Sequence, residues 1–189
     1  MKHTERLIYF LQEITIVVIG VLIAVSIGNY KESIDNKRYV ERTLLAIESE
    51  VRASQSAVES VLEKHLSLIE KLETELEEDE QMLGEMIAAF GGVQFPVIKN
   101  ISLRFFISNK AELIDVDVIA QLLEIELQTN LLSDKMTRLA DFSYGHFSDA
   151  EHETKITFAY LLADVIDTEE SLLESYARFL EENEAYLAD

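Results

Sequence analysis

Glu13 is the first candidate for a functional residue, because it places a carboxylate inside the first hydrophobic stretch of the chain, Leu7 to Gly28. Ionisable residues in such a stretch are costly and usually face protein or water. At about 100° per residue, Gly20 and Ala24 lie about 20° from Glu13 on the helical wheel, and Gly28 lies about 60° away. Small residues spaced four apart let two helices approach closely. We therefore predict a membrane helix-packing face formed by Glu13, Gly20, Ala24 and Gly28.

Three interpretations of Glu13 remain open. The carboxylate could form a polar contact that fixes the orientation of a partner helix, or it could relay a proton or an ion within a larger complex. In the third interpretation it lies near the membrane interface and reaches toward water, with Gln12 beside it. The residue types are compatible with all three.

The histidines and acids near residue 150 could suggest a metal site. Asp149 and His152 form one Asp-x-x-His motif, with His146, Glu151 and Glu153 close by in the sequence. Di-metal sites in helical bundles need two Glu-x-x-His motifs on separate helices. Acids are in any case expected at a helix start, where they complement the helix dipole. We predict no metal site here.

The other residues that could carry chemistry are predicted to have structural roles. His65 is predicted to be a histidine at the edge of a helical core. The acidic run from Glu73 to Glu80 is predicted to be a solvated helix face, with a site for a cation or a basic partner as the alternative. No glycine-rich phosphate loop and no Ser-His-Asp set occurs in a supporting context. We therefore expect no catalytic residue, no cofactor, no metal and no enzyme.

The stretch from Leu7 to Gly28 positions Glu13, and its length is that of a membrane span. About 22 residues make about 33 Å of helix, and the hydrocarbon core of a bilayer is about 30 Å thick. A cleavable signal peptide is the rival, but its apolar region is about 7 to 15 residues long and ends in an A-x-A-like site. Ala24-Val25-Ser26-Ile27-Gly28 runs instead into helix-forming sequence. Residues 1–30 are thus predicted to be a retained transmembrane anchor.

Charge limits the partners of residues 31–189, which are predicted to form an acidic α-helical domain. The formal net charge of -20 lies entirely there, because two basic and two acidic residues cancel before Lys31. Phosphate and anionic lipid headgroups repel a surface this negative, which excludes nucleic acid as a partner. The chain has no cysteine, so disulfides and thiolate metal sites are excluded as well.

A long helix is predicted over residues 31–90, since no glycine occurs between Asn29 and Leu83 and the only proline is Pro96. Its apolar residues step alternately by four and three, which is typical of a heptad seam. A second, shifted frame from Ile69 to Phe90 indicates a stutter. Such a helix needs partner helices, because most helix stability comes from packing an apolar face. The seam comprises Val40, Leu44, Ile47, Val51, Ser54, Val58, Val61, His65, Leu68 and Leu72, of which only Ser54 and His65 are polar.

The long helix is predicted to end at Gly91 and Gly92, because glycine is common just beyond a helix end. A crossover over residues 91–114 follows. Within it, Val97 to Ile107 is rich in β-branched and aromatic residues but has no second run to pair with in a sheet. We therefore expect a buried crossover or a short helix there.

Two further helices are predicted over residues 116–142 and 149–187. Asp115 is the expected N-cap of the first, and Ser148 with Glu151 forms a capping box for the second. A break near Asp167 is considered within the second. The predicted fold class is all-α: an N-terminal transmembrane helix continues into a long helix, which two or three shorter helices pack into a bundle.

The residues from Glu13 to Glu32, EITIVVIGVLIAVSIGNYKE, resemble the opening of a bacterial family of unknown function. That family carries a single N-terminal span, written roughly E-I-x-L-V-V-I-G-I-L-I-A-L-x-I-N-N-W-x-E, before a helical domain. This chain departs from the pattern at Gly28, where asparagine is usual, at Tyr30, where tryptophan is usual, and in a shortened N-terminus that lacks a strongly basic leader. The resemblance implies a membrane anchor and no biochemical activity. The residues that fall on the pattern are Glu13, Gly20, Ala24, Asn29 and Glu32.

These features predict a single-span protein of the bacterial inner membrane that acts as a structural or interaction component of a membrane complex. Its expected partners are the lipid bilayer and either further copies of itself or another membrane protein. One alternative is an auxiliary subunit of an ion-driven machine that uses Glu13. Another is an envelope sensor that binds a ligand between the bundle helices.

The orientation of the span is set by two opposed signals. Counting basic residues places the domain in the cytoplasm. The family that the anchor resembles usually carries a basic leader before the span, which implies a cytoplasmic N-terminus, and the basic residues after the span alternate with acids. We therefore expect a periplasmic domain. The basic residues are Lys2 and Arg6 before the span and Lys31, Lys37, Arg38 and Arg42 after it.

Overall fold

The structure of the protein, a computed structural model, describes residues 2–75, 81–110 and 113–184. All regular structure in these residues is helical, which confirms the predicted all-α fold class. The chain divides into two compact units, Met1–Arg42 and Thr43–Asp189. The described residues form five helices and no strand: α1 (Lys2–Glu75), α2 (Leu83–Ala89), α3 (Ile101–Lys110), α4 (Val116–Gly145) and α5 (His152–Glu182).

The first unit consists of the N-terminal part of α1. Every large apolar side chain from Tyr9 to Ile27 is between 44% and 74% exposed. An 18-residue window of this helix has a mean hydropathy of 2.4 and none of it is buried. By length and composition, α1 is therefore long and apolar enough to cross a membrane.

The second unit is a bundle built on three heptad seams, one each on α1, α4 and α5. Every seam residue from Leu44 to Leu72 is buried, which confirms the predicted α1 seam, including Ser54 and His65. Burying a large aliphatic or aromatic side chain contributes about 1.5 to 3 kcal/mol, so these faces supply most of the folding free energy. The α4 seam is Val118, Leu122, Ile125, Thr129, Leu132, Met136, Leu139 and Ser143, and the α5 seam is Phe158, Leu162, Val165, Glu169, Leu172, Tyr176 and Phe179.

Helices α4 and α5 are antiparallel. Near one end of the pair, Asn183 Nδ2 donates a 2.6 Å hydrogen bond to Gln121 Oε1. Farther along, Lys135 Nζ lies 2.7 Å from Asp164 Oδ1, so the residue number rises on one helix as it falls on the other. The same antiparallel arrangement relates α1 and α5, because His65 contacts Glu169 and Ser54 contacts Tyr176.

The prediction of one uninterrupted helix to residue 90 was wrong. Helix α1 ends at Glu75 within the described residues, and Met82 has extended backbone before α2 begins at Leu83. The amides of Leu83 and Gly84 donate hydrogen bonds to the carbonyls of Asp149 and Phe147 in the turn between α4 and α5. These long-range bonds replace the intrahelical bonds that a continuous helix would give the two amides.

Gly84 also explains why α2 meets this turn so closely. A Cβ atom at Gly84 would lie 2.6 Å from ring atoms of Phe147. The glycine therefore lets the backbone of α2 rest on the aromatic ring, which no other residue allows without a shift. Leu83, Met86 and Ile87 are buried as a consequence of this docking.

The predicted start of the last helix was also wrong. Residues 146–148 form a turn, and α5 begins at His152 with Glu151 as its N-cap. The capping box at Ser148 does not form, because Ser148 lies in the turn and Glu151, which was expected at the third helical position, is itself the N-cap. The considered break near Asp167 does not occur either, since α5 is continuous to Glu182.

The other two boundaries agree with the sequence more closely. Asp115 caps α4 as predicted, with its carboxylate accepting a hydrogen bond from the amide of Asp117. The helix extends to Gly145, three residues beyond the predicted end at residue 142. Within the crossover over residues 91–114, the ambiguous stretch contains the short helix α3, whose Leu103 and Phe106 are buried.

Candidate functional site

The predicted helix-packing face lies on an uninterrupted part of α1. Glu13, Gly20, Ala24 and Gly28 are all exposed. A Cβ atom added at Gly20 or Gly28 would meet no other atom within 4 Å. The helical geometry therefore keeps the four residues on one face, and apart from the backbone of α1 itself no atom of the described residues lies close to the two glycines. The packing of this face against another helix stays a prediction.

The second candidate is a buried polar pair between α1 and α5. His65 Nδ1 lies 3.0 Å from Glu169 Oε2, with side chains that are 2% and 0% exposed. His65 Nε2 and Glu169 Oε1 are also buried, and within the described residues neither has a hydrogen-bond partner. Because solvent does not reach either group, the pair cannot contact a substrate in this structure. It acts on the packing of the bundle, where a buried charge is costly unless it is paired.

A second polar layer crosses the bundle at Ser54, Thr129 and Tyr176, one residue from each seam. The Tyr176 hydroxyl interacts with the hydroxyls of Thr129 and Ser54. Neither it nor the Thr129 hydroxyl makes a hydrogen bond of ordinary geometry among the described residues. Burial raises the pKa of the Tyr176 phenol above its ordinary value, and the two neighbouring hydroxyls partly offset that effect.

Helix α1 also holds the segment that leads into α3. Ser54 Oγ accepts a 2.9 Å hydrogen bond from the amide of Lys99. Four residues earlier on α1, the Glu50 carboxylate accepts hydrogen bonds of 2.9 and 3.0 Å from the amide and the hydroxyl of Ser102. A carboxylate is favourable at this position because the first turn of a helix has unpaired amides and a positive dipole end. Glu50 therefore caps α3 from another helix.

The predicted absence of a metal site rested on the residues around 150. His146 Nδ1 lies 2.7 Å from Asp149 Oδ2, and both side chains are about half exposed. The pair stabilises the turn between α4 and α5, where the His146 ring also stacks on Phe142 at a centroid distance of 4.4 Å. Across the described part of the chain, no group of three or more potential metal ligands comes together. Most of the acidic run from Glu73 to Glu80 lies outside the described residues.

An open apolar groove of about 640 Å³ lies between α2, the glycine turn after it and the end of α4. Its volume is within the range of about 300 to 1,000 Å³ that is typical of small-molecule sites. The two glycines of the turn, Gly91 and Gly92, both have positive φ and present backbone to the groove. Its larger lining side chains are Ile87, Val93, Phe95, Tyr144 and Phe147.

His65 was predicted at the edge of the core, but it lies inside it with 2% of its side chain exposed, and its partner Glu169 was not predicted. Glu169 falls on the α5 heptad seam, between Val165 and Leu172, so its spacing could have indicated a buried carboxylate. The partner is separated from His65 by 104 residues, and no local pattern joins the two. The polar layer at Tyr176 could not be predicted locally either, because its hydroxyl lies beside Thr129 and Ser54, which belong to other helices.

Tyr176→Phe is expected to change the alkaline stability of the bundle. The unfolded phenol ionises near pH 10, whereas the folded phenol ionises at higher pH. The unfolded state therefore releases its proton first, and the free energy of unfolding falls as pH rises above about 10. The variant should lose this part of the pH dependence. At neutral pH its stability should stay within about 1 kcal/mol of wild type, because the phenol has no well-formed hydrogen bond to lose.

Denaturant unfolding of the detergent-solubilised chain between pH 8 and pH 11 measures this. Tyr160→Phe is the matched control, because Tyr160 is 73% exposed and should leave the pH dependence unchanged. An equal loss of stability above pH 10 in wild type and in Tyr176→Phe would contradict the raised pKa of the Tyr176 phenol.

Comparison of this chain with protein-family models, with curated proteins and with solved structures found no match.

Proposed function

We propose that this chain is a single-span protein of the bacterial inner membrane and serves as a structural or interaction component of a membrane complex. The observation that carries the proposal is the exposed apolar part of α1. Its large apolar side chains from Tyr9 to Ile27 are 44% to 74% exposed, and leaving such surface in water costs about 25 cal/mol per Å². A bilayer removes that cost, and the backbone of a helix needs no partner in lipid.

The bundle supports an interaction role because its core is already complete. Its seams bury one another, so its acidic surface is what remains for a partner. The net charge of -20 repels anionic lipid headgroups. The proposed partners are therefore proteins: further copies of this chain or another membrane protein, contacted first within the bilayer.

The face of Glu13, Gly20, Ala24 and Gly28 is the proposed contact in the membrane. The two glycines leave the backbone open to close approach, since a Cβ at either would meet no atom of the described residues beyond the backbone of α1 itself. The carboxylate of Glu13 lies on the same face, where a partner helix could supply a hydrogen-bond donor. Orienting Glu13 toward a partner avoids its exposure to hydrocarbon.

Gly20→Leu is expected to weaken self-association or partner capture, because the leucine side chain would keep the two backbones apart. Leu22→Ala is the matched control, since Leu22 lies on the other side of the helix and the change should have little effect. A membrane two-hybrid assay measures both variants against wild type. Association of Gly20→Leu as strong as that of wild type would exclude the packing face.

Glu13→Gln distinguishes the roles proposed for the carboxylate, because the amide keeps the shape and hydrogen bonding of the side chain but cannot exchange a proton. We expect the variant to retain association in the same assay, as a polar contact requires. Retained association with loss of cellular function would favour the ion-driven alternative over the structural role. If the variant keeps both association and cellular function, the interpretation that remains is that Glu13 lies at the membrane interface and reaches toward water.

We propose a periplasmic bundle, following the orientation that the resembling family implies. The basic residues after the span, such as Lys37, alternate with acids, and Lys37 Nζ lies 3.7 Å from Glu41 Oε1. A reporter enzyme that works only in the periplasm should be active when it is fused after Asp189, and one that works only in the cytoplasm should be inactive. Activity restricted to the cytoplasm would contradict this orientation.

A further inference from the structure

The apolar seams of the bundle do not by themselves define one alignment of α1 against α5. Both seams repeat every seven residues, so a slip of one heptad would place apolar residues opposite apolar residues again. Such a slip displaces one helix along the other by about 10 Å. Something other than apolar contact must therefore distinguish the native register from the slipped one.

The pair of His65 and Glu169 makes that distinction. Glu169 is the one carboxylate on the described α5 seam, and His65 is the one ionisable residue on the α1 seam. They meet at 3.0 Å in the native register. After a slip of one heptad, the α1 residue opposite Glu169 would be Val58 or Leu72, which offer no hydrogen-bond donor. The carboxylate would then be buried without a partner, which is strongly unfavourable.

The polar layer of Ser54, Thr129 and Tyr176 also distinguishes the native register from a slipped one. Ser54 on α1 and Thr129 on α4 both lie beside the Tyr176 hydroxyl of α5, so polar seam residues coincide across three helices. Ser54 also accepts the hydrogen bond from the amide of Lys99. A slipped α1 would leave that amide without its acceptor. Polar residues at seam positions are a known means of fixing helix register.

We propose that the buried pair of His65 and Glu169 selects the register of α1 against α5, and that apolar burial alone would populate more than one register. Glu169 lies midway along the α5 seam, with three seam residues on either side, so a misaligned helix cannot expose its carboxylate to water. This role concerns how the bundle reaches one structure and is independent of the proposed membrane function.

The test measures the distance between α1 and α5 in the detergent-solubilised full chain. The chain has no cysteine, so Glu70→Cys and Glu170→Cys, both at exposed positions, can be spin-labelled without other changes. Pulsed electron paramagnetic resonance should give a single narrow distance distribution. In the same labelled chain, the double variant His65→Leu/Glu169→Leu should broaden the distribution or add a second, resolved peak, because one helix would lie about 10 Å farther along the other.

Two further double variants complete the design. His65→Gln/Glu169→Gln keeps a hydrogen-bonded polar pair and should retain the single distance. Lys135→Leu/Asp164→Leu removes a partly exposed ion pair between α4 and α5 and should retain it too. A single unshifted distance in the leucine pair would overturn the proposal, as would a broadened distribution in the glutamine pair. Loss of the helical circular dichroism signal in the leucine pair would also overturn it, because the proposal requires apolar contacts to suffice for a bundle.

Discussion

The burial of three heptad seams against one another is the interaction on which the rest of this structure depends. A helix such as α1 is unstable in water unless its apolar face finds a partner, because helix propensity is weak. Helices α4 and α5 provide that partner within the same chain, with Leu68, Leu122 and Leu162 among the side chains that lose nearly all exposure. Once these long helices are packed, the short elements α2 and α3 occupy the remaining edges, tied by hydrogen bonds to the α4–α5 turn and to Glu50.

The polar residues inside the bundle follow from the same burial. Each lies at a seam position that would otherwise be apolar, and each is costly to bury unless another helix supplies a partner. His65 finds Glu169, and Ser54 finds the amide of Lys99. In the first unit, by contrast, Glu13 and the apolar side chains around it are exposed rather than buried. The contrast supports assigning a partner outside the chain to the anchor and none to the core of the bundle.

Periodicity predicted the parts of the fold that local sequence controls. The α1 seam, including its two polar members, could be read from steps of three and four, and the N-cap at Asp115 from its position before an apolar run. The break before α2 could not be predicted, because it depends on carbonyls of Phe147 and Asp149 that are distant in sequence. The partner of His65 was missed for the same reason. The packing face at Glu13 stays a prediction, since its contacts would be made with atoms that this chain does not contain.

If the seams are sufficient, the bundle must fold without the membrane and without a partner. Far-ultraviolet circular dichroism of residues 31–189, purified in buffer of moderate salt without detergent, tests this most directly. The account predicts a mainly helical spectrum that is lost in one cooperative transition on heating, because the seams of α1, α4 and α5 are all contained in that fragment. A spectrum dominated by random coil would contradict it and would mean that the α1 seam needs another chain or the lipid bilayer.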